Sequence, residues 1–382
     1  MPFYPLILFI AVMGIATSPK VRIPLSASFI TAFLIVIFSI EFIARNEAIT
    51  DGDNLEILIK YVIVWVLSIY CSSAFKDKRD FLAQFVAFFE KLLVFSYFTF
   101  VATNVLNAAL INFGGKTAIG DQYQTFFGMA YTTAYDYLKY GFHRNQSIFW
   151  EPGVYGMVIL VMFMIKTIFL QDKKKLWKYY AALFTTFSMG SVAILCIFIV
   201  FSNLLSKGKY VFNARLVIFS ILITSPIIFV INFINTYSGL IEQFIGTIFH
   251  RNLSQDTSID TRTTDLVYGF QASLDDLYVG HGQNYTDFYA LTSYELNTSK
   301  AEYGGGITNG IIGLLYCYGL VYILIFFFLL YRASRDISYF PKYTLLIFFT
   351  FIGVLMVEPL QFSLFIMLLM TFYNDRRLLK FN

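Results

Sequence analysis

Apolar runs of roughly 15 to 25 residues, separated by short polar segments, recur from one end of the chain to the other. In lipid such a run is a helix, because each backbone polar group must be paired within its own segment. The pattern predicts spans near 3–17, 25–44, 55–75, 81–111, 154–170, two short ones within 177–205, 215–237, 304–331, and two short ones within 343–373. The predicted fold class is therefore an all-α polytopic membrane protein. It has about 11 (10–12) transmembrane helices in a single integral membrane domain over 1–382.

The charged segments assign the sides. Lys20 and Arg22, Lys76–Arg79, Lys173–Lys175, Arg332 and Arg335, and the closing Arg376, Arg377 and Lys380 all fit the cytoplasmic side by the positive-inside rule. Residues 177–205 are flanked by basic residues at both ends, with Lys207, Lys209 and Arg215 following, and Ser188-Met189-Gly190-Ser191 offers a small-residue turn between. Two short helices in a hairpin satisfy both flanks, where one tilted helix would not. Glu358-Pro359 breaks the last run in the same manner. With these hairpins the N-terminus faces out and the C-terminus in. The outer segments fall near 45–54, 112–153 and 238–303.

Composition sharpens the class: 58% of residues are hydrophobic, 19% aromatic and 14% charged, against about 25% charged in soluble domains. The net charge of +4 reflects the orienting loops and carries no nucleic-acid signal. Phe3–Thr17 is apolar without a basic segment before it, so the first helix is expected to stay in place. Cys71, Cys196 and Cys317 lie inside apolar runs and suggest neither a disulfide framework nor a metal site. No cofactor loop of the Walker or dinucleotide kind is present. Asp51-Gly52-Asp53 has the form of an acidic metal pair and equally of an ordinary turn; no metal site is expected. Four Asn-x-Ser/Thr triplets, at Asn145, Asn252, Asn284 and Asn297, carry glycan only in a eukaryote, and a bacterium is expected.

The candidate chemistry lies in the outer loops. His143, His250 and His281 all fall there, with Arg144, Arg251, Arg262 and many tyrosines. Positive-inside bias depletes arginine on that face, so arginine that remains needs a reason; its planar fork matches phosphate oxygens. The densest stretch is His143-Arg144-Asn145-Gln146-Ser147-Ile148-Phe149-Trp150-Glu151-Pro152-Gly153, at the mouth of the run that starts at Val154. Glu151 suits either an ion-pair partner that orients Arg144 or a base. Trp150 suits either an interfacial belt or a sugar platform. In the late loop, Arg262 precedes an amphipathic run, Leu266–Leu277, and then Gly280-His281-Gly282. The paired glycines suit a tight turn or a close approach to a ligand, and His281 is either a general base or a loop histidine without a duty.

These motifs resemble those of the bacterial O-antigen polymerase (Wzy) and O-antigen ligase superfamily, over a layout running from about residue 80 to the end. Arg144 and the segment through Pro152-Gly153 match an outer-loop Arg followed by a Gly/Ser-Phe-x-x-Pro-like entry to a helix. Gly153 stands where the family usually has Asn. Arg262 with Gly280-His281-Gly282 matches the opening of the late loop. Thr308-Asn309, nine residues, Gly319, two residues and Tyr322 match the ligase frame, except that Thr308 replaces its histidine base.

The resemblance implies a polymerase of undecaprenyl-pyrophosphate-linked oligosaccharide repeat units, working without metal or cofactor on the outer face of the bacterial inner membrane. Arg144, Arg262 and Arg251 would bind pyrophosphate, and His281 or Glu151 would act as base. His143, Trp150, Thr308 and Asn309 are the candidate sugar or acceptor contacts. Expected partners are the lipid-linked glycan, the bilayer and a chain-length regulator protein, with no nucleic acid. The competing readings are an O-antigen ligase and, in another class, a polysaccharide flippase or transporter.

Overall fold

A computed structural model describes residues 4–18, 20–44, 52–75, 77–106, 110–116, 122–127, 130–133, 141–149, 151–205, 266–282, 309–338, 340–358, 360 and 363–372. The expected span at 215–237, and with it Arg251 and Arg262, lies outside these residues, as do Trp150 and Thr308.

Helices dominate where apolar runs predict them: α1 (Tyr4–Ala16), α2 (Leu25–Ala44), α3 (Gly52–Ala74) and α4 (Lys78–Val105). Asp77 starts α4, its side chain accepting from the Asp80 N–H at 2.8 Å. Next come α5 (Pro152–Met164, continuing as a π-turn over Ile165–Phe169), α6 (Trp177–Thr186), α7 (Met189–Leu205), α8 (Gly310–Ile337), α9 (Thr344–Val357) and α10 (Leu364–Phe372). Among the described residues, four helices are long and apolar enough to cross a membrane: Leu55–Ala74, Lys78–Val105, Pro152–Phe169 and Gly310–Ile337. Large apolar side chains stand exposed on the outside of the bundle, among them Phe29 on α2, Phe98 on α4, Leu204 on α7 and Phe349 on α9. Such a surface suits lipid and not water.

The 112–153 segment departs from the all-α expectation. Strands β1 (Leu110–Lys116), β2 (Gln122–Phe126) and β3 (Ala130–Thr133) form an antiparallel sheet in sequence order. The segments Leu110-Ile111-Asn112-Phe113 and Tyr123-Gln124-Thr125-Phe126 are short and rich in aromatic and β-branched residues, which fit a pleated surface. The expected span 81–111 ran too far because Leu110 and Ile111 extend the apolar run; the helix ends at Val105, where the Leu106 N–H still reaches the Ala102 carbonyl.

At the centre stands α5. In its span 89% of residues are buried, against 33–56% in the other three long spans, as suits a helix that is apolar on every side. One end opens at Glu151. Near the other, Lys166 is buried and pairs with Glu90 at 2.7 Å and Asp172 at 2.5 Å. Two carboxylates on one lysine are what make its burial tolerable.

The hairpin within 177–205 is present. The α6 helix stops at Phe187, which takes a left-handed conformation (φ 51°). The α7 helix then starts beside Ser188, whose hydroxyl contacts the Ser191 hydroxyl at 2.8 Å. Gly190, at the start of α7, lies against Met157 and Val357. Its far end, Leu205, accepts a hydrogen bond from Lys342 Nζ at 3.1 Å, at the opposite end of α9. The last run also breaks at Glu358, between α9 and α10.

The α8 helix is interrupted at Gly319 (φ 70°, ψ 179°), nine residues past its start at Gly310, or about 13 Å along the axis. Its freed backbone groups are met by residues 277–282. The His281 N–H donates to the Tyr316 carbonyl (2.7 Å) and the Gly282 N–H to that of Cys317 (2.9 Å). The Leu320 N–H donates to the Leu277 carbonyl (2.7 Å). Only glycine permits this interlock. A Cβ on Gly280 would stand 2.6 Å from the Tyr318 and Gly319 nitrogens, and one on Gly319 would strike the Tyr278 carbonyl. Gly319→Ala is expected to destabilise the protein by about 2 kcal/mol. Thermal unfolding in detergent checks this, and a melting temperature equal to that of the parent contradicts it.

Candidate functional site at the mouth of the central helix

Residues 141–149 have no regular structure, yet most are buried, so their backbone must be bonded to the bundle. Asn104, near the end of α4, grips His143 on both sides: its Oδ1 accepts from the His143 N–H (2.8 Å) and its Nδ2 donates to the His143 carbonyl (3.0 Å). The Asn145 N–H donates to the Thr185 carbonyl and its Nδ2 to the Thr185 hydroxyl, both at 2.9 Å. Asn145 Oδ1 accepts from the Ser147 N–H at 3.2 Å, and Ser147, at φ 51°, accepts from the Tyr131 N–H of β3 at 2.9 Å. The Tyr155 hydroxyl of α5 donates to Ser96 of α4 at 2.7 Å. The loop thus binds α4, β3, α5 and α6 together. Arg144 is half-buried between two residues whose backbones are fixed. A guanidinium carried on such a peptide loses little freedom when it meets a ligand.

The loop enters α5 through Glu151 and Pro152. Glu151 is exposed and extended (φ −147°, ψ 141°), and its side chain makes no capping bond. Pro152 gives up an N–H that the first turn could not have satisfied within the helix. Phe149 stacks on Tyr155 at 5.3 Å. Two glycines then admit polar groups to the helix surface. A Cβ on Gly156 would strike the Ser191 hydroxyl of α7. One on Gly153 would strike Glu358 Oε1 and lie 3.6 Å from Glu151 Oε1. Glu358, only 2% exposed at the end of α9, therefore delivers its carboxylate to the mouth of α5, beside that of Glu151. In the sequence Glu358 stands at the break in the last run and is the charge that interrupts otherwise nearly uncharged helices. A single carboxylate inside an apolar run was the signal that could have found it.

His143 lies inside the protein, 2% exposed, with Nδ1 2.9 Å from the Thr132 hydroxyl. Burial pushes its pKa down from the ordinary 6.5 to about 4, and a hydrogen bond with the Thr133 backbone pulls back upward. At neutral pH it is an uncharged ring within the fold and offers phosphate no cation. Gln146, two residues after Arg144, is 1% exposed, and among the described residues neither of its amide atoms has a hydrogen-bond partner. Asn309 caps α8, its Oδ1 accepting from the N–H groups of Ile311 and Ile312 at 3.1 Å each. The His281 ring stacks flat on Tyr316 at 4.6 Å (3°), above the α8 break.

The sequence-predicted residues therefore fall into two groups. His143, Arg144 and Glu151 stand at the mouth of α5; His281 packs against α8 at Tyr316, and Asn309 caps the start of that helix, about two turns away. Among the described residues no three His, Cys, Asp or Glu side chains converge as a metal site.

No protein-family model matches this chain, and no curated protein matches it.

The neutral His143 makes stability depend on pH. Its folded pKa lies below the unfolded one, so its contribution is complete above about pH 6.5 and is lost as pH falls towards 4, where the unfolded chain takes up the proton first. The full effect is about 3 kcal/mol. Unfolding measured between pH 7.5 and 4.5 should show this slope in the parent and not in His143→Gln; parallel curves contradict it.

Proposed function

We propose that this protein polymerises undecaprenyl-pyrophosphate-linked oligosaccharide repeat units on the outer face of a bacterial inner membrane. The proposal includes the topology of about eleven spans with the C-terminus inside. The observation that carries it is the placement of Arg144. It sits on a hydrogen-bonded loop at one end of α5, while Lys173–Lys175 follow the other end. The positive-inside rule assigns the lysine end to the cytoplasm, which puts Arg144 on the outer face, where arginine is otherwise depleted. The motif resemblance supplies the reaction.

In that reaction a hydroxyl oxygen of the incoming unit attacks the anomeric carbon of the donor chain. The bond from that carbon to pyrophosphate breaks, its electron pair leaves on the pyrophosphate, and the hydroxyl proton passes to a base. The leaving group needs cations for its oxygens more than it needs a proton. Arg144, with Arg262 from the late loop, fits that need, each charge-assisted contact contributing about 1.5–3 kcal/mol. A chain-length regulator is the proposed protein partner.

The broken α8 favours one second reading, a polysaccharide transporter, since interrupted helices line transport sites. Against it, backbone groups freed at this break are bonded by residues 277–282, so the interruption is filled by the protein's own chain. The ligase reading suffers from Thr308 at the position of the histidine base.

Arg144→Ala and Arg262→Ala are each expected to abolish long-chain polymer at unchanged protein level. In vitro the rate should fall on the order of 10- to 100-fold. Arg144→Lys should recover part of it, keeping the charge without the fork. Normal polymer from either alanine variant removes that arginine from the mechanism.

A further inference from the structure

Glu358 is the one ionisable residue among the described positions from Thr344 to Phe372. Inside an apolar bundle a carboxylate is costly, and it persists where the fold or the chemistry requires it. Its backbone is fixed: the Glu358 N–H donates to the Val354 carbonyl (2.9 Å), and the Glu358 carbonyl accepts from the Leu360 N–H (2.7 Å). The end of α9 thereby aims the side chain at Gly153. The Pro-Gly entry to α5 and the Glu-Pro break after α9 are two halves of one joint. Gly153 is also the position where the chain departs from the family's Pro-Asn pattern, and the space that a side chain would occupy there is filled by Glu358. The partly positive N-terminal turn of α5 favours a carboxylate at this place and offsets the like charge of Glu151. It also argues against pyrophosphate lying there, because two carboxylates already do. Glu151 and Glu358 thus share the entry of α5 at Gly153, and Arg144 lies on the loop that leads into it.

We propose that Glu358 is the proton acceptor of the transfer reaction and that Glu151 carries the proton onward to solvent; this role rests on the polymerase reading above. As the acceptor oxygen bonds to the anomeric carbon and the carbon–pyrophosphate bond breaks, the hydroxyl proton moves to Glu358. Glu358 passes it to Glu151, its exposed neighbour across Gly153, and Glu151 releases it to water. Both carboxylates end as they began. The burial of Glu358 has a use in this scheme: a base screened from bulk water does not activate water against the donor, so the sugar is transferred and not hydrolysed. His281 is the less suitable base, because its backbone and ring are committed to the α8 interlock.

The test uses the purified full-length protein with lipid-linked repeat units extracted from cells that lack it. Glu358→Gln keeps the shape and an acceptor oxygen but cannot take the proton. It is expected to lower kcat 100-fold or more, with KM for the lipid-linked unit and the melting temperature unchanged. Glu151→Gln should lower kcat by a smaller factor. A kcat within threefold of the parent for Glu358→Gln overturns the proposal, as does a loss that follows a lowered melting temperature. Where Glu358→Gln does not accumulate, Glu358→Asp carries the test. Its shorter reach should lower kcat tenfold or more at constant KM, and an unchanged kcat overturns the role. Polymer from the parent with full activity in these variants removes Glu358 alone; no polymer from the parent overturns the polymerase reading and this role with it.

Discussion

Backbone amides inside an apolar bundle must find their partners within the protein, and this fold is arranged around the places where a helix stops early. At Gly319 the ladder of α8 opens, and the backbone of Leu277, His281 and Gly282 completes it. At Phe187 the chain turns back and Ser188 starts the next helix. Before α5, where nine residues have no helix at all, Asn104 and Asn145 supply the missing partners. Each joint is bonded on several sides, so each positions its neighbours instead of flexing.

The consequence for chemistry is that polar groups stand on rigid supports at one end of the central helix. Arg144 projects from the bonded loop, and Glu358 reaches the same helix from the end of α9 through the space left by Gly153. The loop that carries Arg144 and the two carboxylates at Gly153 are thereby held at the same end of α5. Preorganisation of that kind is what separation of a leaving pyrophosphate from an acceptor hydroxyl requires. The opposite end of α5 is closed by Lys166 between Glu90 and Asp172, which anchors the helix on which the mouth is built.

Much of this was legible in the sequence. The apolar runs located the described helices to within about six residues at their ends, because helix length in an apolar environment leaves few choices. The basic flanks of 177–205 identified its hairpin. The sheet is not legible because Leu110 and Ile111 read as a continuation of α4 and its strands are short and do not alternate strictly. Arg144 and Glu151 stand out in the sequence because arginine is unexpected in a segment read as outer and its neighbours are adjacent in the chain. Glu358 was not assigned, because its partner, Gly153, lies far off along the chain and only folding brings them together. Gly280 and Gly319 were both noted as motif positions, yet nothing in one dimension shows that they press against each other. His143 reads in the sequence as an outer-loop sugar or acceptor contact, and the structure buries it against Asn104 and Thr132 as a neutral ring.

The account is tested most directly by deleting the gene in a bacterium that makes the polymer, then resolving the surface glycan by size and locating the lipid-linked units. It predicts surface glycan limited to one repeat unit, with unpolymerised lipid-linked units on the outer face of the membrane. An unchanged ladder, polymer retained on its lipid carrier, or units confined to the inner face would contradict it.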